Sequence, residues 1–181
     1  MRTRTALTAA LILASLLALP VGAQQKPPAQ AQPQKPISQL AWLVGGVWTA
    51  DASNLGQGKM RIETRYTWSD NGAFIRFNTH FITDRGELKN YDGNLYWDPT
   101  KKGLAIWYMS ASNAITEGPI VIDGDLWQVT FQGEDFDAKP ATLRVDVVRK
   151  TNNQYRWTLT EKQGDAWKQL ATLVYDRNPA S

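Results

Sequence analysis

Short runs in which apolar and polar residues alternate dominate the chain after residue 36. In the clearest run, Ile62, Thr64 and Tyr66 alternate with Glu63 and Arg65. Alternation with period two indicates a strand that has one buried and one solvated face. Ten such runs predict ten strands, at residues 46–52, 60–69, 73–83, 87–98, 103–111, 114–122, 126–134, 142–151, 154–162 and 166–176. The pattern therefore predicts an all-β domain.

The segments between these runs are short and carry turn residues, such as Asp70-Asn71-Gly72 and Asp123-Gly124-Asp125. Connections of this length join antiparallel neighbours. A one-layer meander leaves two unpaired edges, and closure of the sheet removes both. We therefore expect an up-and-down closed β-barrel of about ten strands. One short helix should precede it, with Ser38 capping residues 39–43 and Gly45-Gly46 ending it.

The start of the chain has the features of a secretory signal peptide. Arg2 and Arg4 precede an apolar stretch at residues 11–19, and small residues lead to a cleavage site after Ala23. We predict a signal peptide at 1–23, a disordered Gln/Pro-rich linker at 24–36, a β-barrel domain at 37–177 and a tail at 178–181. The mature protein is expected to be secreted or periplasmic and not inserted in the membrane.

Composition excludes several kinds of chemistry. The chain has no cysteine and one histidine, so disulfides, thiol nucleophiles and multi-histidine metal sites are excluded. The formal net charge is +3, and removing the two arginines of the signal peptide leaves +1. Such a weak charge gives no electrostatic reason to expect nucleic acid as a partner. We expect no metal and no cofactor.

The segment Leu40-Ala41-Trp42-Leu43-Val44-Gly45-Gly46-Val47-Trp48 resembles the opening of calycin-type barrels. This group includes lipocalins, fatty-acid-binding proteins and nitrobindin-like proteins, and its first strand carries a Gly-x-Trp motif, here Gly46-Val47-Trp48. The resemblance implies that a basic residue at the end of the last strand, here Arg177, packs over Trp48. Physically, the first and last strands of a closed meander are neighbours, and a guanidinium over an indole is stabilising. We predict that Trp48 and Arg177 are in contact.

The resemblance also makes haem binding a function to consider, because nitrobindin-like proteins bind haem through a histidine near the C-terminus. No histidine follows Trp157, and the single histidine is His80. Because His80 alternates with Phe77, Thr79 and Phe81, it is predicted to face outward. In fatty-acid-binding proteins, arginines inside the barrel hold a carboxylate, but here the strand arginines, such as Arg65 and Arg76, are also predicted to face outward.

Aromatic residues are the most informative candidates for a binding site. All 8 Trp, 6 Tyr and 5 Phe lie after residue 36. The residues proposed to line a ligand site are Tyr66, Trp68, Phe77, Trp97, Trp107, Phe131 and Trp157. Trp107 and Tyr108 are consecutive, so one must face inward and the other outward. The indoles could surround a ligand or fill the barrel completely, and the sequence leaves both open.

Catalytic groups are few. Glu117 beside Tyr91, Tyr96 or Tyr108 could form a buried acid site, and His80 could act with Ser110 or Ser112. Acidic residues at turns, including Asp123, Asp125 and the run 134–137, could offer oxygen ligands to calcium, but no twelve-residue calcium loop is present. Surface positions are the simpler interpretation in each case.

Three functions follow from these features. The first is a non-catalytic binding protein for a small, largely apolar molecule held inside the barrel. The second is a structural or protein-interaction module with a filled barrel. The third is an enzyme that uses carboxylate and tyrosine residues lining the barrel. The fifth, sixth and tenth strands are apolar on both faces, which suggests coverage by a loop, the helix or a second subunit, so a homo-oligomer is a further expectation.

Overall fold

The computed structural model describes residues 36–55, 58–135 and 139–179, without the side chains of 88–90. The predicted signal peptide, the linker up to residue 35 and the last two residues lie outside this description. Neither of the two short helices in the described residues is long and apolar enough to cross a bilayer.

Ten antiparallel strands close into a barrel in which each strand pairs with its neighbours along the chain and β1 also pairs with β10. The strands are β1 (Val47–Asp51), β2 (Met60–Trp68), β3 (Phe74–Thr83), β4 (Gly86–Asp98), β5 (Gly103–Ser110), β6 (Ile115–Asp123), β7 (Leu126–Glu134), β8 (Pro140–Thr151), β9 (Gln154–Gln163) and β10 (Ala166–Asn178). The predicted fold is confirmed, and each strand bound lies within two residues of the prediction.

A 3-10 helix at Pro36–Leu43, here called the plug helix, precedes β1, and a second 3-10 helix spans Ser53–Leu55. The plug helix begins earlier than predicted, so Ser38 lies inside it and does not cap it. Proline suits the first position of a helix because no N–H is needed there. Ile37, Leu40 and Leu43 are buried, and these side chains fix the plug helix against the barrel.

The two ends of the barrel differ. The plug helix lies at the end where β1 starts and β10 finishes, together with the β2–β3, β4–β5, β6–β7 and β8–β9 turns. We call this the plug end and the opposite end the mouth. The core follows the inward face of every strand and includes the buried side of the plug helix.

Candidate ligand site inside the barrel

Barrel closure depends on a contact between the first and last strands. Trp48 is fully buried and lies opposite Arg177 in the β1–β10 register, with the guanidinium carbon 4.4 Å from the indole centroid. The same guanidinium donates a hydrogen bond to the carbonyl of Trp42. Trp48 Nε1 donates to the carbonyl of Leu43 over 2.7 Å. The predicted contact is present, and it joins both chain ends of the barrel to the plug helix.

Gly46 allows this close approach. Its φ is +70°, in the left-handed region that favours glycine. A Cβ added there would lie 2.5 Å from the carbonyl oxygen of Asn178 and 2.9 Å from Cγ of Arg177. Only glycine fits without displacing the end of β10. The sequence motif therefore has a structural cause, which is the space that β10 occupies.

Aromatic rings fill the plug end. Trp48 is 5.9 Å from Trp42 and 4.8 Å from Tyr155, measured between ring centroids, and Tyr155 stacks on Tyr175 at 4.7 Å. The inward-facing Ile75 and Leu95 are also fully buried. This half of the barrel is therefore a packed core.

The half of the barrel nearer the mouth is different. Phe77, Phe81, Tyr91 and Tyr108 face inward, yet each side chain keeps partial exposure to solvent. Their rings form edge-to-face contacts, with centroids 5.4 Å apart for Phe81 and Tyr91 and 5.4 Å apart for Tyr91 and Tyr108. Inward side chains in a fully packed barrel lose contact with water. Their partial exposure distinguishes these four rings from the fully buried core, and we call the group the aromatic cup.

Hydroxyl groups accompany the rings of the aromatic cup. Thr64 and Thr79 form a hydrogen bond between their Oγ1 atoms at 2.9 Å, across the β2–β3 pair. Ser110 and Thr116 face inward and are buried, and Thr116 lies opposite Tyr108 in the β5–β6 register. The cup thus combines aromatic surface with a few hydroxyl groups, none of which ionises near neutral pH.

Tyrosine ionisation is suppressed deeper inside. Burial raises the pKa of Tyr66 to about 12, against a hydrogen bond from Tyr155 that lowers it. Burial likewise raises the pKa of Tyr155 and of Tyr175 well above the ordinary value. Burial also raises the pKa of Tyr108. These phenols remain protonated and uncharged at physiological pH.

Six of the seven proposed ligand-site residues have the inward register, and four of these lie away from the strand ends. Tyr66 and Phe131 are buried there, with 9% and 8% exposure, and Phe77 and Trp157 are half-buried. Phe131 reaches the cup through its contact with Tyr108, at 6.4 Å between centroids.

The other three proposed residues are not in the aromatic cup. Trp68 and Trp97 share the inward register, but each ends its strand at the plug end, where each is 36% exposed. Trp107 lies on the outer face in register with Glu117, because Tyr108 is the member of the pair that points inward. The prediction that Trp107 lines the interior is therefore wrong.

The proposed catalytic combinations do not form. His80 lies in register with Glu63 on the outer face, and its Nδ1 is 3.1 Å from a carboxylate oxygen of Glu87. Ser110 faces inward and bonds Ser112 at 2.7 Å between the Oγ atoms. The barrel wall therefore separates the imidazole from both hydroxyls. His80 also offers no ligand to haem inside the barrel.

Other charged candidates also lie outside. Glu117 is on the outer face, 3.4 Å from Lys101 Nζ and 3.4 Å from the Tyr96 hydroxyl. Arg65 pairs with Glu63, and Arg76 lies over the ring of Phe74, as expected for outward arginines. The described ranges hold no cluster of His, Asp or Glu that fits a metal ion, and Asp137 of the acidic run lies beyond them.

Sequence reasoning missed Phe81 and Thr79 as residues of the cup. Both are an even number of residues from Phe77 along β3 and so share its face, which means that alternation alone could have identified them as inward residues. The sequence indicates Tyr91 and Tyr108 only as polar groups that could accompany Glu117, although they supply two of the four rings of the cup.

Two concave regions lie outside the aromatic cup. A cavity of about 50 Å³ beside the plug helix is lined by Leu40, Trp42, Trp127 and Arg149, among others. An open cleft of about 500 Å³ lies on the rim of the mouth, between the end of β1 and the β3–β4 turn. The cleft combines residues of both barrel faces, such as Met60 and Arg61, so it is a feature of the rim.

Comparison with known proteins bears on the fold alone. No protein-family model matches the chain, and no curated protein matches it. The chain is similar to the crystal structure of Rv2717c from M. tuberculosis, with a TM-score of 0.52 and 15% sequence identity. The match covers 78% of this chain and 96% of that chain. The barrel described here is thus shared in architecture with Rv2717c.

Proposed function

We propose that this protein binds a small, largely apolar molecule in the aromatic cup. The observation that carries the proposal is a set of inward rings that are not fully buried. Core side chains such as Trp48 and Leu95 are fully buried, while the inward rings of Phe77, Phe81 and Tyr108 remain partly exposed. The cup combines aromatic rings with a few hydroxyls, which is the usual composition of a small-molecule site.

Two features favour a binding protein over the other functions considered. A module with a filled barrel would have no solvent-exposed rings on its inner face. Glu117, the carboxylate considered for an enzyme, lies on the outer face, where it contacts Lys101. We therefore propose a non-catalytic role and a calycin-like barrel, in which a plug closes one end and ligand enters at the other.

Export is part of this proposal. The predicted cleavage after Ala23 would release a chain that begins at Gln24. Expression of the full-length sequence in a Gram-negative host, followed by intact-mass measurement of the periplasmic fraction, tests this directly. A protein that retains Met1 in the cytoplasmic fraction would contradict export.

The ligand site is tested with two probes, Nile red and cis-parinarate, which are an uncharged planar dye and a flexible carboxylate. Fluorescence titration should give saturable binding of at least one of them. Phe81→Ala removes one ring of the cup near the mouth and should weaken binding about tenfold, since burial of an aromatic side chain contributes 1–2 kcal/mol or more. Phe74→Ala is the matched control, because Phe74 lies on the outer face of the same strand.

Each result has a defined meaning. Saturable binding that Phe81→Ala weakens and Phe74→Ala does not would support the aromatic cup. An equal loss of probe affinity in both variants would mean that the probe binds on the outer surface, which would contradict the proposal. No binding of either probe to folded protein, with circular dichroism confirming the barrel, would favour a filled interaction module.

A further inference from the structure

We propose that ligand enters the barrel near its mouth by passing between β6 and β7, which are unpaired there. This inference rests on the proposed function, because it names the route by which that ligand reaches the aromatic cup. The strand pairing, the side chains along the unpaired segments and the position of Phe131 each support this route.

The β6–β7 ladder stops part of the way along both strands. It ends at Ile120, which lies opposite Val129. Residues 115–119 of β6 and 130–134 of β7 belong to their strands but form no ladder pair with each other. On their other sides, both segments are paired along their whole length, with β5 and with β8. The gap is therefore confined to these two facing segments in the mouth half of the barrel, which we call the unpaired seam.

Pro119 explains where the ladder stops. A hairpin with two loop residues closes on a pair that exchanges two hydrogen bonds, here Asp123 and Leu126. Hydrogen-bonded pairs then recur at every second residue, which places Pro119 at such a position, opposite Thr130. Proline has no N–H to donate, and within sheets it is ordinarily confined to edge strands and bulges. The ladder does not resume beyond Pro119, so β6 has the character of an edge strand there although the barrel is closed.

The polar side chains on the outer face of the unpaired seam bond away from it. Continued register would place Glu117 opposite Gln132. Glu117 instead lies 3.4 Å from Lys101 Nζ and 3.4 Å from the Tyr96 hydroxyl, on the β4–β5 side. Gln132 accepts a hydrogen bond from Thr142 of β8 over 3.2 Å. These contacts hold each strand to its other neighbour, so they survive when β6 and β7 part.

Phe131 covers the inner side of the unpaired seam. Gly118 of β6 and Gly133 of β7 share its inward face and have no side chain. Phe131 is 8% exposed, and its ring centroid lies 6.4 Å from that of Tyr108 on β5. Because β6 lies between β5 and β7, this ring reaches across the inner side of β6 to the cup. Movement of β7 away from β6 would withdraw the ring from Tyr108 and connect the seam with the cup.

Passage of a ligand requires this movement, because the strands are adjacent in the structure. A Cβ added to Gly118 would lie 2.9 Å from the carbonyl oxygen of Thr130 and 3.7 Å from Cβ of Phe131. Local opening of a fold has a low free energy where few backbone hydrogen bonds must break. The unpaired seam has no ladder to break, so β6 and β7 should part here more readily than at their paired end.

Amide hydrogen exchange measured by nuclear magnetic resonance tests the opening without a ligand. The amides of Glu117 and Gln132 should exchange at least about a hundredfold faster than those of Val121 and Gln128, which lie in the paired part of the same strands. Pro119→Val supplies the missing donor and should slow exchange at Glu117 about tenfold. Equal protection of the two sets of amides would refute the opening, and unchanged exchange in Pro119→Val would refute the role of the proline.

Reversible cross-linking tests the route. The described chain has no free cysteine and the sequence contains none, so introduced thiols have no competing partner. Glu117→Cys with Gln132→Cys places two thiols across the unpaired seam, and Val121→Cys with Gln128→Cys is the matched control across the paired part. Ethylene bismethanethiosulfonate joins each pair through a short bridge that a reductant removes. Stopped-flow fluorescence then measures association and dissociation of whichever of Nile red and cis-parinarate binds.

The cross-link between residues 117 and 132 should slow association and dissociation at least about tenfold and leave the Kd within about twofold, because it blocks the route and not the site. The cross-link between residues 121 and 128 should leave both rates within about twofold, and reductant should restore the rates of the first variant. Unchanged rates across the seam would mean that ligand enters along the barrel axis. A weaker affinity with an unchanged association rate would equally contradict the route.

These outcomes separate the route from the proposed function. If a probe binds and Phe81→Ala weakens it, but the cross-link between residues 117 and 132 changes neither rate, the cup is a ligand site and the route is wrong. If neither probe binds to folded protein, the proposed function fails and the route fails with it, whatever the amide exchange shows.

Discussion

Removal of the Arg177 side chain should destabilise the barrel more than removal of any exposed strand arginine. The guanidinium lies 4.4 Å from the centroid of Trp48 and donates to the carbonyl of Trp42. A cation–π contact contributes about 0.5–2 kcal/mol, and a hydrogen bond from a charged donor about 1.5–3 kcal/mol. Arg177→Ala removes both the cation–π contact and the hydrogen bond, and Trp48, which loses its partner, is fully buried. We therefore expect this substitution to lower the free energy of unfolding by about 2–4 kcal/mol.

The assay is urea unfolding followed by far-ultraviolet circular dichroism, which reports chiefly the strands. Arg156→Ala is the control, because Arg156 is an exposed arginine on β9 and its loss should change stability by no more than about 0.5 kcal/mol. Arg177→Lys keeps a positive charge but loses the planar fork, so its stability should lie between those of wild type and Arg177→Ala.

A double-mutant cycle with Trp48→Phe isolates the contact between the two side chains. A coupling energy near zero would mean that Arg177 acts through the plug helix alone. Equal stability of Arg177→Ala and Arg156→Ala would refute the reasoning that this contact secures barrel closure.

The remaining predictions concern packing and pH. Gly93→Ala should destabilise by about 2 kcal/mol or more in urea unfolding, since its Cβ would lie 2.5 Å from Cβ of Tyr108 and 2.6 Å from Cζ of Phe77. The contribution of Tyr66 to stability should be constant up to about pH 10 and be lost towards pH 12, because the unfolded chain releases the tyrosine proton near pH 10 while burial holds the pKa of Tyr66 at about 12 in the fold. Spectrophotometric titration should therefore show that Tyr66 and Tyr175 ionise only as the protein unfolds at alkaline pH. Loss of their phenolic protons near pH 10 in folded protein would contradict this prediction.

The sequence predicts the barrel well because its strands are half-buried. Each strand exposes one face, so period-two alternation remains visible along nearly its whole length, as in Ile62, Thr64 and Tyr66 of β2. Glycine and aspartate at the hairpins mark where each run ends. Closure of the barrel can be inferred because an open sheet would leave two unpaired edge strands. The motif that contains Gly46 and Trp48 identifies β1 as the strand that pairs with β10.

Alternation does not identify the inward face of a strand when both of its faces are apolar. In β5, Trp107 and Tyr108 are adjacent aromatics, and hydrophobicity alone favours the larger indole for the interior. The structure reverses this, since Tyr108 packs against Phe77 and Phe131 while Trp107 lies beside Glu117 outside. Val121 and Val174 show the same ambiguity on β6 and β10, and both are exposed, at 61% and 46%. Register with neighbouring strands, which the sequence does not contain, decides these positions.

The location of the candidate site depends on the barrel ends more than on the choice of inward residues. Trp68, Trp97 and Phe81 all share the inward face, but hairpin order sends the two indoles to the plug end and Phe81 towards the mouth. At the plug end, the plug helix and Arg177 cover the interior and expel water. Towards the mouth, the ring of Phe81 is partly exposed. The same alternation therefore produces fully buried core beneath the plug helix and partly exposed inward rings towards the mouth, and we expect a ligand site only at those rings.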